Sequence, residues 1–167
     1  MAIASRIVGL SHDDPASLTP NPYNYRVHPE LQRDALRASL AELGWIDVVI
    51  VNDVTGNIID GHLRVEDALE MHELTVPVLH VELDADEEHK ALMTLDPLAA
   101  LAIADASALA ELNGMVETDS PALSELWMTI VPGMSERAPV PDDDAGIITT
   151  GGTDHECPQC GYRWHSA

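Results

Sequence analysis

The sequence predicts an α/β (α+β) fold: a small mixed sheet with packed helices, then a helical extension and a short CxxC tail. Three observations point there. Val48-Val49-Ile50-Val51 and Val76-Pro77-Val78-Leu79-His80-Val81 are apolar runs rich in β-branched residues, which suit buried strands. Between them the period changes, because Val65, Ala68, Leu69 and His72 fall at i, i+3, i+4, i+7 and predict a helix beginning near Gly61. Turn residues, Asn52-Asp53-Val54-Thr55-Gly56-Asn57, separate the first run from a short Ile58-Ile59 strand.

Composition fits that size of fold. The 167 residues suit one ordinary domain with appendages, and 46% hydrophobic content is enough for a core. Aromatics are only 4%, so that core is aliphatic. No apolar run reaches membrane-spanning length and the N-terminus lacks a basic-then-apolar leader pattern, so the expected location is cytoplasmic, in a bacterial or phage-infected cell. Residues 1–81 hold 12 acids and 5 bases, and residues 82–167 hold 17 acids and 3 bases, for a net charge of −21. A broad phosphate-gripping face needs clustered Lys and Arg, so non-specific DNA binding is disfavoured and any nucleic-acid contact is local or made through a partner protein.

Taken in order, Arg6-Ile7-Val8-Gly9-Leu10 predicts a first strand, followed by a polar loop from Ser11 to Ser17. Two prolines in Leu18-Thr19-Pro20-Asn21-Pro22-Tyr23-Asn24-Tyr25-Arg26 force an extended, turn-rich arm ending in an arginine without a nearby acid in sequence. His28-Pro29-Glu30 opens a helix whose Leu36, Leu40 and Leu43 share a stripe, and Gly44 ends it. Arg33 and Arg37 share a face of it, either solvated beside acids or helping to neutralise a bound polyphosphate. Asp84 predicts an N-cap, with a helix interrupted at Asp96-Pro97 and resumed through Leu98, Leu101 and Ala102. Further helices are predicted over 106–112 and from Ser120-Pro121 through Ile130, serving as packing or as a dimer surface. Residues 132–153 read as an acidic linker. The expected domains are therefore 1–95, 96–131, 132–153 and 154–167.

The chemistry gathers at Ile59-Asp60-Gly61-His62-Leu63-Arg64. A strand meeting a helix through Asp-Gly leaves backbone N–H groups at the helix start, where an anion is favoured. Gly61 permits close approach, His62 adds a donor, and Arg64 reaches back with a forked cation. The plainer alternative has Asp60 capping the helix and Arg64 pairing with Glu66 or Glu70 on the surface.

In fixed order, Asn21-Pro22-Tyr23-Asn24-Tyr25-Arg26, the helix ending at Leu43-Gly44, strand Val48–Val51, Asp60-Gly61-His62-Leu63-Arg64 and Val76-Pro77-Val78 resemble the N-terminal domain of the ParB/sulfiredoxin superfamily, often labelled a ParB-like nuclease domain. The resemblance covers roughly residues 6–95 and is nearest to short ParB-like proteins of phages and actinobacteria, some associated with DNA methyltransferases. It implies a nucleotide-binding α/β fold acting in phage or mobile-element DNA metabolism. Arg26, Gly61, His62, Arg64 and Arg37 would hold an NTP (ATP or CTP, with Mg²⁺), and Asp60 and His62 would be catalytic. Family members carry Gly-Glu-Arg-Arg, Gly-Cys-His-Arg or Asp-Gly-His-His-Arg at this turn, and Asp60-Gly61-His62 is similar to the last, the form of free-serine kinases. No Cys precedes Cys157, which removes sulfiredoxin chemistry, and no helix-turn-helix or basic face of partitioning ParB is evident. Two other functions fit the residues. One is a small-molecule or nucleoside kinase with Asp60 or Glu30 as base or metal ligand. The other is a non-catalytic adaptor that binds a partner protein through its helices and tail. A homodimer is compatible with each.

The tail, His155-Glu156-Cys157-Pro158-Gln159-Cys160-Gly161-Tyr162-Arg163-Trp164-His165, has the form of a zinc knuckle. Cys157 and Cys160 would supply two thiolates, with His155 and His165 completing four ligands locally or two tails sharing one ion. Reduced or redox thiols, or a nucleic-acid contact through Arg163 and Trp164, are the alternatives. If the zinc reading holds, elemental analysis of the purified chain finds between one zinc per two chains and one per chain, and Cys157→Ser abolishes it; a metal-free wild type sinks it.

Overall fold

The computed structural model describes residues 3–131 and the strands at 153–156 and 163–166. The chain divides into two compact units, residues 1–134 and 135–167. In the first, strands β1 (Ile7–Asp13), β2 (Val49–Asn52), β3 (Ile58–Asp60) and β4 (Val76–Val81) form one sheet in the order β1-β4-β2-β3. β4 runs antiparallel to β1 and parallel to β2, while β2 and β3 form an antiparallel hairpin. The sheet is therefore mixed, as the run of strands predicts. The helices of this unit are α1 (Glu30–Leu43), α2 (His62–Glu70), α3 (Ala85–Leu92), α4 (Leu95–Ala100), α5 (Ala106–Asn113) and α6 (Pro121–Ile130).

Alternation along the strands divides the core between the two sheet faces. Val49, Val51, Ile58, Val76 and Val78 pack with Val65 and Ala68 of α2. Ile59 and Val81, with half-buried Ile50, pack instead with Leu92 of α3. The helix expected near Gly61 thus covers one face, and the helix expected after Asp84 covers the other. Because β2 and β4 are parallel, the chain must cross over between them, and β3 and α2 make that crossing.

Several boundaries differ from the sequence pattern for local reasons. β1 continues through Asp13, and Pro15–Ser17 is a short 3₁₀ turn capped by Asp14, so all of the expected polar loop except the capping Asp14 is regular structure. α2 stops at Glu70, and His72 lies beyond it at φ 60°, the left-handed residue that ends the helix while Glu73 N–H donates to Ala68 carbonyl. The break before α4 falls at Met93-Thr94, and Pro97 stands in the first turn of the new helix, where its missing N–H costs nothing. Asp84 caps α3 in a reciprocal box with Glu87, and Ser120 caps α6. α6 packs against α1, so the segment after residue 96 returns to the domain.

One buried carboxylate ties this unit together. Glu88 of α3 is 3% exposed and accepts from Asn21 Nδ2 at 2.8 Å, Asn52 Nδ2 at 2.7 Å, Asn57 Nδ2 at 3.2 Å and the Thr55 hydroxyl. Asn52 spends its other positions on Leu83, donating to its carbonyl and accepting from its N–H, and on Val54 N–H. Burial alone pushes the Glu88 pKa up, but the four donors outweigh it and hold the carboxyl below its ordinary value near 4.5.

In the second unit, β5 (Thr153–Glu156) and β6 (Arg163–Ser166) form an antiparallel pair, with His155 opposite Trp164 and Asp154 opposite His165. The expected ligands Cys157 and Cys160, and most of the expected linker, lie outside the described residues.

Replacing Glu88 by Gln presents an amide to donors that all need an acceptor, and a loss of about 1–3 kcal/mol in urea unfolding is expected. The folded-state pKa lies below the unfolded one, so the carboxylate's contribution is complete above the unfolded value. It is lost as pH falls through the folded value. Wild-type stability should therefore drop on acidification below about pH 4.5 more steeply than that of Glu88→Gln.

Candidate functional site

β3 delivers Asp60 to the edge of the sheet, and Gly61 turns the chain into α2 with φ 90° and ψ 18°. A Cβ on Gly61 would lie 3.1 Å from Val49 Cα and 2.9 Å from Arg64 Nη1. Only glycine fits, both in conformation and in space. Gly61, not Asp60, is the N-cap of α2, and no side chain caps the first turn. The amides at this helix start therefore receive no internal acceptor, which favours an anion there.

His62, the first residue of α2, is 5% exposed. Its Nε2 accepts from the Asn21 N–H at 3.1 Å, so in the neutral ring the proton sits on Nδ1, which is buried and has no partner. Burial lowers the His62 pKa, and the nearby Arg26 cation lowers it further. His62 is thus a neutral donor whose accepting nitrogen is already occupied.

Asn21 explains how the proline-rich arm comes to this place. Its side chain donates to Glu88 and accepts from Tyr23 N–H, its N–H meets His62, and its carbonyl takes Asn24 N–H. Tyr23 meets the His89 ring edge-on at 4.9 Å, and Tyr25 Oη donates to Leu92 carbonyl. The arm is therefore held along α3, and Arg26 arrives beside Asp60.

The charges form a chain across the turn. Arg26 Nη1 lies 3.4 Å from Asp60 Oδ1, Arg64 Nη1 lies 3.3 Å from Asp60 Oδ2, and Arg64 Nη2 pairs with Asp47. Asp96 of α4 is the counter-ion at Arg26 Nε, and Nη2 of this largely buried guanidinium has no acceptor. The surface pairing of Arg64 with Glu66 or Glu70 does not occur, since Glu66 and Glu70 pair with Arg33 and Arg37.

These groups line one cleft of about 880 Å³, the size of small-ligand sites generally. Arg26, His28, Asp60, His62, Arg64 and Asp96 form its charged end, and the rest is lined mainly by apolar side chains of α1, α6 and the segment before α6, with Glu42 and Glu117 among them. His28 Nε2 is also buried without a partner, while its Nδ1 meets Gln32. Sequence reasoning missed His28, Asp47, Asp96 and the whole α6 wall.

Arg37 is not brought to this cleft. It donates twice to the fully buried Asp67, at 3.0 and 2.8 Å, and again to Glu70. With Arg33 and Glu30 it lines a separate shallow depression. The acids of α2 raise both arginine pKa values, most strongly through Glu66 on Arg33 and Asp67 on Arg37. Expected phosphate ligands are here replaced by helix-to-helix ion pairs, and Glu30 likewise stands away from the cleft as a base.

A Ser-His-Asp arrangement exists elsewhere, on the sheet. Ser11 Oγ lies 2.8 Å from His80 Nε2, and His80 Nδ1 lies 2.6 Å from Asp53 Oδ1. Ser11 also donates to Asp13 at 2.8 Å, so its single hydroxyl proton is directed at a carboxylate and not at His80. A serine nucleophile needs the reverse. The cluster staples β1 to β4 and the β2–β3 turn.

No family model and no curated protein matches the chain. Among solved structures, the chain is similar to the C-terminally truncated chromosome-partitioning protein ParB from Caulobacter crescentus, complexed with CTP-γ-S. Identity is 24% and the TM-score 0.49, over 62% of this chain and 59% of that one. It is also similar to a Pnob8-like ParB-N domain, at 22% identity and TM-score 0.41, over 50% of this chain and 35% of that one. The chain thus spans less than two thirds of either structure's length. Among the described residues no helix is long and apolar enough to cross a membrane.

Gly61→Ala should perturb this site from the backbone outward. Left-handed backbone costs an alanine about 1–2 kcal/mol, and contact with Val49 Cα adds to that. A lowered melting temperature is expected, while Gly9→Ala, at an open position, leaves it within a degree or two.

Proposed function

We propose that this chain binds a nucleoside triphosphate, with its phosphates at the Gly61-His62-Leu63-Arg64 turn and with Arg26 as second cation. One observation carries the reading. The buried Nδ1 of His62 and Nη2 of Arg26 lack acceptors, and both residues line the same cleft as an uncapped helix start. Buried donors without acceptors are costly, and phosphate oxygens would satisfy all of them at once. The motif resemblance in sequence supports the same ligand class and supplies its setting, phage or mobile-element DNA metabolism.

In this reading Asp60 positions both arginines, since each of its oxygens faces one of them, and His62 donates to a phosphate oxygen. Neither serves as a general base. That favours binding over the kinase alternative. Among the described residues no group of three or more acidic, His or Cys side chains could hold a metal ion. Mg²⁺ would then enter with the nucleotide, taking phosphate oxygens and at most a carboxylate or two, such as Asp96.

The test is a titration of ATP, CTP, GTP and ADP with Mg²⁺ against wild type, Arg64→Ala and Arg37→Ala, read by thermal shift and calorimetry. One nucleotide should raise the melting temperature by several degrees. Arg64→Ala should weaken binding about tenfold or more, the worth of a charge-assisted contact, and Arg37→Ala should leave it intact. Equal loss in both variants, or no binding by wild type, overturns the proposal.

A further inference from the structure

The phosphate turn occupies only one end of the cleft. The other end is built by α1, α6 and the segment before α6, where Leu43, Val116, Leu126 and Trp127 face the same space beside the carboxylates Glu42 and Glu117. Those two helices pack directly on one another, so the segment after residue 96 supplies a wall of the site. Trp127 and Val116 also line a small apolar cavity of about 120 Å³ on the α5–α6 side. The indole is therefore half-buried with space beside it in two directions, unlike a core side chain packed on every side.

From this geometry we infer that α6 is the receptor for the non-phosphate end of the ligand, with the base seated against Trp127. The inference rests on the phosphate reading and adds the residue that distinguishes a nucleotide from inorganic polyphosphate. A flat base has two apolar faces and a large aromatic surface to gain from an indole, and the stacking tolerates different bases. Polyphosphate has nothing to place there and would leave the apolar wall wet. The occupant is continuous with the charged end, because Arg26, Arg64 and Trp127 border a single cleft.

The test compares the nucleotide that binds best with inorganic tripolyphosphate, both with Mg²⁺, on the full chain. Wild type should prefer the nucleotide by about 5- to 150-fold, the span of one base–aromatic stack. Trp127→Ala should shrink that preference to within about threefold while leaving the tripolyphosphate affinity unchanged, which also shows that the variant is folded. Trp127→Leu, which keeps an apolar wall, should fall between. In a Trp45→Phe, Trp164→Phe background, emission of the remaining Trp127 should respond to the nucleotide and not to tripolyphosphate. An unchanged preference in Trp127→Ala, or a silent Trp127, overturns the inference while the phosphate site stands. Failure of both ligands to bind wild type overturns the phosphate reading and the inference with it.

Discussion

The hydrogen bonds onto Glu88 are what the rest of the site depends on. A carboxylate in the interior is tolerated only when its lone pairs are filled, and here Asn21, Asn52, Asn57 and Thr55 fill them. These donors come from the arm, the end of β2 and the β2–β3 turn, so satisfying one buried charge brings three segments to α3. Asn21 then passes the constraint on. With its side chain committed to Glu88, its N–H must point at His62, and that bond decides which ring nitrogen carries the proton. A carboxylate outside the cleft thereby sets the chemistry of a histidine inside it.

The acidity of the chain bears on how such a cleft works. Two guanidinium groups at the turn are balanced by Asp47, Asp60 and Asp96, so among the described residues this turn presents no bare positive patch. Asp60 is the more enclosed of these acids, and Asp47 and Asp96 are about half exposed or more, which lets them give way to a stronger anion. In the proposed reading, binding is an exchange of carboxylate for phosphate, and selectivity follows from what phosphate offers to the buried donors. Arg33 and Arg37 are outside this exchange, because their pairs with Glu66, Asp67 and Glu70 hold α1 to α2.

Much of the architecture was legible in linear order. Strand runs, the switch to helical period at Gly61, the Asp84 and Ser120 caps, and the gathering of Arg26 with the Asp60–Arg64 turn could all be read, because each depends on neighbours in sequence. Glu88 could not, since in sequence it is one more acid in the first turn of a helix and its donors lie over thirty residues away. Arg37 misled for the same reason: its spacing from Arg33 shows a shared face but not which acids oppose it, and Asp67 is 30 residues distant. The stripe of α6 was visible, but its contact with α1 was not, so the apolar half of the cleft had no signature.

The approach of Gly61 to Val49 has a wider meaning. Where two backbones touch with no side chain between them, the spacing is set by the main chain itself, and substitutions in the surrounding aliphatic core have little leverage on it. The turn from β3 into α2 is in effect seated on the backbone of strand β2. A lineage could rewrite most of its surface and much of its interior and still present those amides at the same height above the sheet.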